Sequence, residues 1–212
     1  TNAFKLSNAG NSEIIPLTQL AAYNNTIVNC GWRRAKNKKG GSIWLEKAIA
    51  PTFVNNLVYD CRFGLKQPKK DGADLEHSTI APNYYFASTE TGVKQMSKDA
   101  DMIIWNDNDI KSNVAGQFNP LFRNFKQSDV MNINCEIDNV QKGAPLPFDR
   151  SWNFNFQQGS QALSNGVTNF QRIFPNGLAF FGMKKVMFLD NSNDQNYYFT
   201  APTPTTQFGA AL

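Results

Sequence analysis

The residues that most constrain the fold of this chain are those that alternate. In "DVMNINCEIDNV" the apolar side chains Met131, Ile133, Cys135 and Ile137 are interleaved one for one with Asn132, Asn134, Glu136 and Asp138. A period of two sends the two sets to opposite faces of an extended chain, so the pattern predicts a strand with one buried and one wetted side. "LVYDCRFGL" repeats it, with Tyr59, Cys61, Phe63 and Leu65 set against Asp60 and Arg62. "SWNFNFQQ" does so again, with Trp152, Phe154 and Phe156 as the inward set. Helical patterning is confined to two short stretches, "LTQLAAY" (17–23) and "VKQMSKDAD" (93–101).

Further strands are predicted over 26–32, 42–49, 83–88, 101–105, 178–189 and 196–200. Between them stand turn signals: Lys39-Gly40-Gly41, Asp71-Gly72, Gly143-Ala144-Pro145, Ser164-Asn165-Gly166 and Pro175-Asn176-Gly177. Neither heptads nor a fixed-period repeat are read from the sequence. Many short strands joined by Gly, Pro and Asn turns predict an all-β chain: an antiparallel β-sandwich of the jelly-roll type, with long loops and at most short helices. Residues 1–199 are read as a single sandwich domain and "TAPTPTTQFGAAL" (200–212) as an extended C-terminal arm. Aromatic residues make up 13% of the chain, 17 of them Phe, which gives such a fold material for a core. Charged residues are only 18%, and the polar remainder is largely amide and hydroxyl.

Several kinds of chemistry are excluded or disfavoured by residue count. His77 is the one histidine, so Ser–His or Cys–His catalysis would have to run through it, and "DGADLEHSTIAP" reads as a loop. Cys30, Cys61 and Cys135 are odd in number and widely spaced, which argues against a disulfide framework and a zinc knuckle. They read as buried reduced thiols, with one bridge plus a free thiol as the other arrangement. Glu136 and Asp138 share a strand face at a spacing that a glycosidase pair would tolerate, but the wet side of a strand explains them as well. "DNSNDQN" (190–196) carries Asp190, Ser192 and Asp194 at alternate positions, yet Gln195 and Ala201 stand where a calcium loop needs Gly and Glu. No cofactor is therefore expected, beyond a Ca2+ shared between subunits through such oxygens. Phosphate-loop and dinucleotide motifs are absent, "NNT" at Asn24 is a lone glycosylation sequon, and no apolar run approaches the roughly 20 residues of a membrane span. "TNAFKLSNAG" lacks a signal-peptide core, and the start at Thr1 reads as a processed or trimmed chain.

The net charge of +4 is unevenly spread. "GWRRAKNKKGG" (31–41) groups Arg33, Arg34, Lys36, Lys38 and Lys39 without an acid among them, between strand-like segments that carry Trp32 and Trp44. The cluster reads either as a solvated hairpin loop or as a contact for nucleic-acid phosphates, which require charge and reach rather than fine geometry. The two Trp side chains are expected to be core anchors.

Taken together, a chain of 212 residues, alternating strands, low charge, "RRAKNKK" in the first quarter and a Pro/Thr tail resembles the single jelly-roll coat proteins of small icosahedral viruses. Residues 1–30 carry only Lys5, so genome-facing charge would come from the 33–39 loop and from Lys66, Lys69 and Lys70. The resemblance implies a structural, non-enzymatic protein located in the virion, self-assembling into a large homo-oligomeric shell and holding nucleic acid non-specifically. The alternative is a secreted or surface carbohydrate-binding sandwich, lectin-like, that uses Tyr84, Tyr85, Tyr197 and Tyr198 with neighbouring amides. A second rival is a β-rich hydrolase built on Glu136.

Overall fold

A computed structural model of the chain describes residues 2–7, 19–32, 43–126, 149–170 and 203–210. Its strands return rather than reverse. β1 (Phe4–Ser7), β2 (Gln19–Tyr23) and β3 (Thr26–Val28) lie in three different sheets. β4 (Ile43–Glu46), β5 (Ala50–Val54) and β6 (Leu57–Tyr59) visit those sheets in the same order, and β7 (Leu65–Lys66), β8 (Thr79–Ile80) and β9 (Tyr84–Phe86) do so once more. The sheets β1-β4-β7, β2-β5-β8 and β3-β6-β9 are parallel throughout, and β10 (Ile110–Lys111) extends the third. A chain that circles three faces and lands each time on its own previous turn is a parallel β-solenoid.

This overturns the antiparallel sandwich and jelly roll expected from the sequence. Alternation reports that a strand has two unlike faces; it carries no information on the direction of the neighbouring strand. The sequence also holds the repeat that the solenoid requires. "YNNTIVNC" (23–30) and "VNNLVYDC" (54–61) occupy successive turns in register, Ile27 on Val58 and Val28 on Tyr59. Burial on both faces is the second correction. In β4, β5 and β6 every residue is buried, and Asp60 and Arg62, expected in water, are 1% and 0% exposed. The stretch 17–23, read as helical, contains strand β2, and 101–105 begins in a 3-10 turn (Ala100–Met102) before Ile103 bridges to Lys66. Strands predicted at 131–137, 178–189 and 196–200 lie outside the described residues.

The register stacks like on like. Phe4, Ile43 and Leu65 form one interior column, Ala22, Phe53 and Ile80 a second, and Ile27, Val58 and Tyr85 a third. Helix α1 (Glu90–Met96) follows the last full turn. Its N-cap Thr89 accepts from Gly92 N–H at 3.0 Å, with Glu90 in the first turn and Lys94 in the last, as the helix dipole favours. Met96 and Val93 pack on the interior columns, and Trp105 sets its ring at 89° to Tyr85 with centroids 4.8 Å apart.

The corner between the second and third sheets is made by an asparagine ladder. Asn24 and Asn55 take left-handed conformations (φ 54° and 56°), which asparagine tolerates better than other side-chain-bearing residues. Behind them Asn25, Asn56 and Asn83 stack from turn to turn. Asn56 Nδ2 donates to Ala22 O, Val54 O and Asn83 Oδ1 at 3.0–3.1 Å, and its Oδ1 accepts from Asn25 N–H and Nδ2 at 3.1 and 2.8 Å. Asn83 repeats the arrangement by donating to Phe53 O, and Asp109 ends the series by accepting from Asn83 N–H at 2.7 Å.

A second core lies outside the third sheet. Leu57, Tyr59, Tyr84 and Phe86 face outward there and are covered by the antiparallel pair β11 (Phe122–Asn124) and β12 (Asn153–Phe156) and by Phe208. Phe208 is fully buried, with its ring edge-on to Tyr84 at 5.3 Å. The tail around it is fastened to the ladder corner: Asn24 Nδ2 donates to Thr205 Oγ1 at 3.1 Å and also bonds Gln207 O, and Ala210 N–H donates to Thr26 Oγ1 at 3.0 Å.

Candidate binding cleft

The five cations singled out in the sequence, Arg33, Arg34, Lys36, Lys38 and Lys39, lie outside the described residues. So do Cys135, Glu136, Asp138, the 190–196 segment, Tyr197 and Tyr198. The flanking tryptophans are core residues, as expected: Trp32 and Trp44 are each 2% exposed. Trp32 Nε1 donates to Asp60 O and Trp44 Nε1 to Glu46 Oε2, both at 2.6 Å. Tyr84 and Tyr85, offered as sugar platforms, are buried instead. The Tyr84 hydroxyl donates to Phe118 O at 2.7 Å, and Tyr85 faces the solenoid interior. Lys66 bonds Asp99 at 2.8 Å and caps the Phe63 ring at 3.9 Å, while Lys69 pairs with Asp101. His77 is exposed, its Nδ1 held 2.8 Å from Asp74 Oδ2. That carboxylate raises the imidazole pKa.

The structure instead brings together residues from four separate stretches. Where β11 and β12 lean on the third sheet they leave an open cleft of about 630 Å³. Its floor is aromatic: Tyr59 and Phe86 from the solenoid, Phe122 and Phe125 from the β11 segment. These rings form one network, Tyr59 to Phe86 at 4.7 Å, to Phe122 at 4.9 Å and to Phe125 at 5.6 Å. Exposures of 1–8% make the floor a rigid base rather than an open stacking surface.

Polar groups line the walls. Ser88 and Thr89 come from the turn before α1, Asn119 from the following loop, and Asn124 and Gln157 from the strand pair. Gln157 Nε2 donates to Phe122 O at 2.9 Å and Asn124 Nδ2 to Ser151 O at 2.6 Å, so both amides are held by backbone. Two exposed cations complete the wall, Arg123 and Lys126. Arg123 Nε donates to Phe156 O at 3.2 Å, fixing one edge of its guanidinium and leaving the planar fork suited to a carboxylate or sulfate. Among the described lining residues none is a carboxylate, an imidazole or a thiol.

One rim of the cleft is a tightly pinned loop. Gly116 N–H donates to Ala87 O, Ser112 Oγ to Gln117 O, and Leu121 N–H to Asn119 Oδ1, at 2.6–2.9 Å. Within it Phe118 and Leu121 adopt left-handed φ of 57° and 56°. For a side chain of this kind the conformation costs of order 1–3 kcal/mol and persists only where surrounding contacts impose it. Both residues are 37% exposed, and Val114 on the same loop is 57% exposed. A strained, pinned loop that presents apolar side chains beside two cations is preorganised for contact.

Behind the cleft sits a buried acid. Asp60 follows Tyr59 in a left-handed turn (φ 46°), and its Oδ1 accepts from Ser88 N–H at 2.6 Å. Burial pushes its carboxyl up to about 6, against which the Ser88 hydrogen bonds act only in part. Burial chiefly, and the neighbouring Asp60 secondarily, also raise the Tyr59 hydroxyl, so it stays protonated at neutral pH.

The cleft escaped the sequence reading because its parts are scattered over nearly 100 positions. One local signal was present: "FRNFK" (122–126) sets a basic residue directly after each of two aromatics, Arg123 after Phe122 and Lys126 after Phe125. No helix among the described residues is long and apolar enough to cross a membrane. No family model, no curated protein and no solved structure matches the chain.

Proposed function

We propose that this chain is a binding protein for an acidic glycan, held in the cleft between the third solenoid sheet and the β11–β12 pair. The observation that carries the reading is the composition of that cleft: Arg123 and Lys126, backbone-held amides at Asn124 and Gln157, hydroxyls at Ser88 and Thr89, and the apolar rim residue Leu121. Sugars offer alternating hydroxyl edges and C–H faces, which amides and aliphatic side chains match, and carboxylate or sulfate substituents match the cations. The walls present donors for an anion and lack the acidic groups that would repel one. An open cleft suits a chain ligand running through it better than a small molecule enclosed in it. The reading keeps the glycan-binding alternative of the sequence and discards its sandwich. The parallel sheets overturn the jelly roll that the shell-subunit reading assumed; its other supports, the low charge, "RRAKNKK" and the Pro/Thr tail, are features of the sequence that the fold does not test.

The test is titration calorimetry with uronate-bearing, sulfated and neutral oligosaccharides at two salt concentrations. Acidic oligosaccharides should bind, neutral ones should bind at least tenfold more weakly, and Arg123→Gln with Lys126→Gln should abolish the difference. Binding of single-stranded nucleic acid in preference to every oligosaccharide, lost in the same double variant, would replace this reading with a nucleic-acid one. Binding that is unchanged by the double substitution would remove the cleft from consideration.

A further inference from the structure

Beyond the third sheet the turns stay in register for several more residues. Asn29 N–H donates to Tyr59 O and Arg62 N–H donates to Cys30 O, both at 2.9 Å, which continues the parallel pairing of β3 and β6 around the corner. Cys30 and Cys61 therefore hold equivalent positions in successive turns. Cys30 N–H points at Cys61 Sγ at 3.3 Å, and both residues pack on the solenoid interior. Adjacent strands stand about 4.8 Å apart, inside the range of roughly 4.4–6.8 Å between Cα atoms that a disulfide bridges. Both side chains are thiols in this structure; Cys61 is fully buried and Cys30 half-buried.

We propose that Cys30 and Cys61 are the two halves of a redox-operated staple, closing a disulfide between the first and second turns of the solenoid when the protein meets a disulfide oxidant. The exposures set the order of events. Oxidised glutathione reaches only Cys30, whose thiolate attacks one glutathione sulfur, forms a mixed disulfide and expels one glutathione thiolate. Cys61, deprotonated, attacks the Cys30 sulfur and expels the second glutathione thiolate. The two protein thiol protons pass to the two leaving thiolates, so each bond formed converts one oxidised glutathione into two reduced ones. Burial raises both thiols, and Cys30 raises Cys61 further, so the exchange should quicken as the pH is raised. The bond would close a long loop of the unfolded chain, the situation in which a cross-link stabilises most. The inference is independent of what the cleft binds.

The experiment is incubation of the full chain with oxidised glutathione at pH 8.5, followed by alkylation, non-reducing digestion and mass spectrometry. The expected product is a cross-linked peptide pair containing Cys30 and Cys61. Its thermal midpoint should lie above that of the reduced protein by on the order of 10 °C and return on treatment with a reducing dithiol. Cys61→Ser should stop at the glutathione adduct on Cys30, and Cys135→Ser should leave the cross-link unchanged. Should Cys135→Ser fail to fold, the wild-type peptide map decides the pairing. A cross-link through Cys135, a persistent glutathione adduct on wild-type Cys30 or an unchanged midpoint would overturn the staple.

Discussion

Replacing Asn56 with alanine tests the asparagine ladder at its most connected member. Asn56 is fully buried, and its side chain makes five hydrogen bonds, three as donor and two as acceptor. Not all five are lost outright. Asn83 Oδ1 keeps Asn56 N–H at 3.0 Å, Val54 O keeps Asn24 N–H at 3.2 Å, and Asn25 Nδ2 keeps Tyr23 O at 3.2 Å. Asn25 N–H, however, is stripped of Asn56 Oδ1. A part-buried donor left in that state costs about 1–3 kcal/mol, and the remaining bonds contribute roughly 0.5–1.5 kcal/mol each. The sum is a loss of roughly 3–9 kcal/mol, a large fraction of the 5–15 kcal/mol that holds a typical domain together. Urea unfolding followed by tryptophan fluorescence measures it, with Asn108→Ala at an exposed site as a control expected to stay within about 0.5 kcal/mol of wild type. Asn56→Asp sharpens the test. It retains an acceptor for Asn25 but turns an oxygen toward Ala22 O, Val54 O and Asn83 Oδ1, so it should destabilise at pH 7 and recover in part near pH 5 as the carboxyl protonates. An Asn56→Ala protein within 1 kcal/mol of wild type, or an Asn56→Asp protein with no such pH dependence, would refute the ladder as a source of stability.

Asp60 and Asp109 both have carboxyls raised from 3.8 to about 6, by burial in each case. The folded state thus holds protons that the unfolded chain has released, and stability should rise as the pH falls from about 7 towards 4. At 1.36 kcal/mol per pKa unit the contribution of the fully buried Asp60 approaches about 3 kcal/mol, and Asp60→Asn should remove its share of the slope in denaturation curves taken across that range. A Cβ added at Gly64 would stand 2.7 Å from Trp105 Cη2, so Gly64→Ala should cost about 1–3 kcal/mol and shift the tryptophan emission as the ring is displaced. Phe208→Ala should cost about 3–5 kcal/mol by cavity formation, and limited proteolysis should then cleave the tail that the ring anchors.

Much of the strand content was legible because alternation and turn residues are local. Tyr84–Phe86 and Asn153–Phe156 fall inside predicted strands, Glu90–Met96 overlaps a predicted helix, and the core placement of Trp32 and Trp44 followed from their flanking apolar residues. What alternation does not encode is the partner of each strand. The direction of pairing was written in the recurrence of Asn-Asn at 24–25 and 55–56, separated by 31 residues, which a search for strands one at a time passes over. Asp60 and Arg62 were misplaced for the same reason: beside an exposed face they would be wet, but here the third sheet is covered on both sides. Residues 17–23 read as helical because Leu, Ala and Gln favour helices in isolation, and pairing of β2 with β5 along five residues outweighs that preference. The cleft was the least legible, since Tyr59, Ser88, Arg123 and Gln157 meet only after the solenoid is wound.

The same recurrence has a consequence for how the chain finds its native alignment. Because Asn25, Asn56 and Asn83 present the same chemistry at the same corner, a strand that docked one turn too far along would meet a familiar partner there. The corner alone therefore selects the shape of a turn without selecting which turn it is. Phase must come from contacts that occur once: Trp32 on the carbonyl of Asp60, Trp105 against Gly64 and Tyr85, and the carboxylate of Asp109 where a fourth asparagine would otherwise stand. These unrepeated residues number the turns, and weakening them should yield molecules that are wound correctly and counted wrongly.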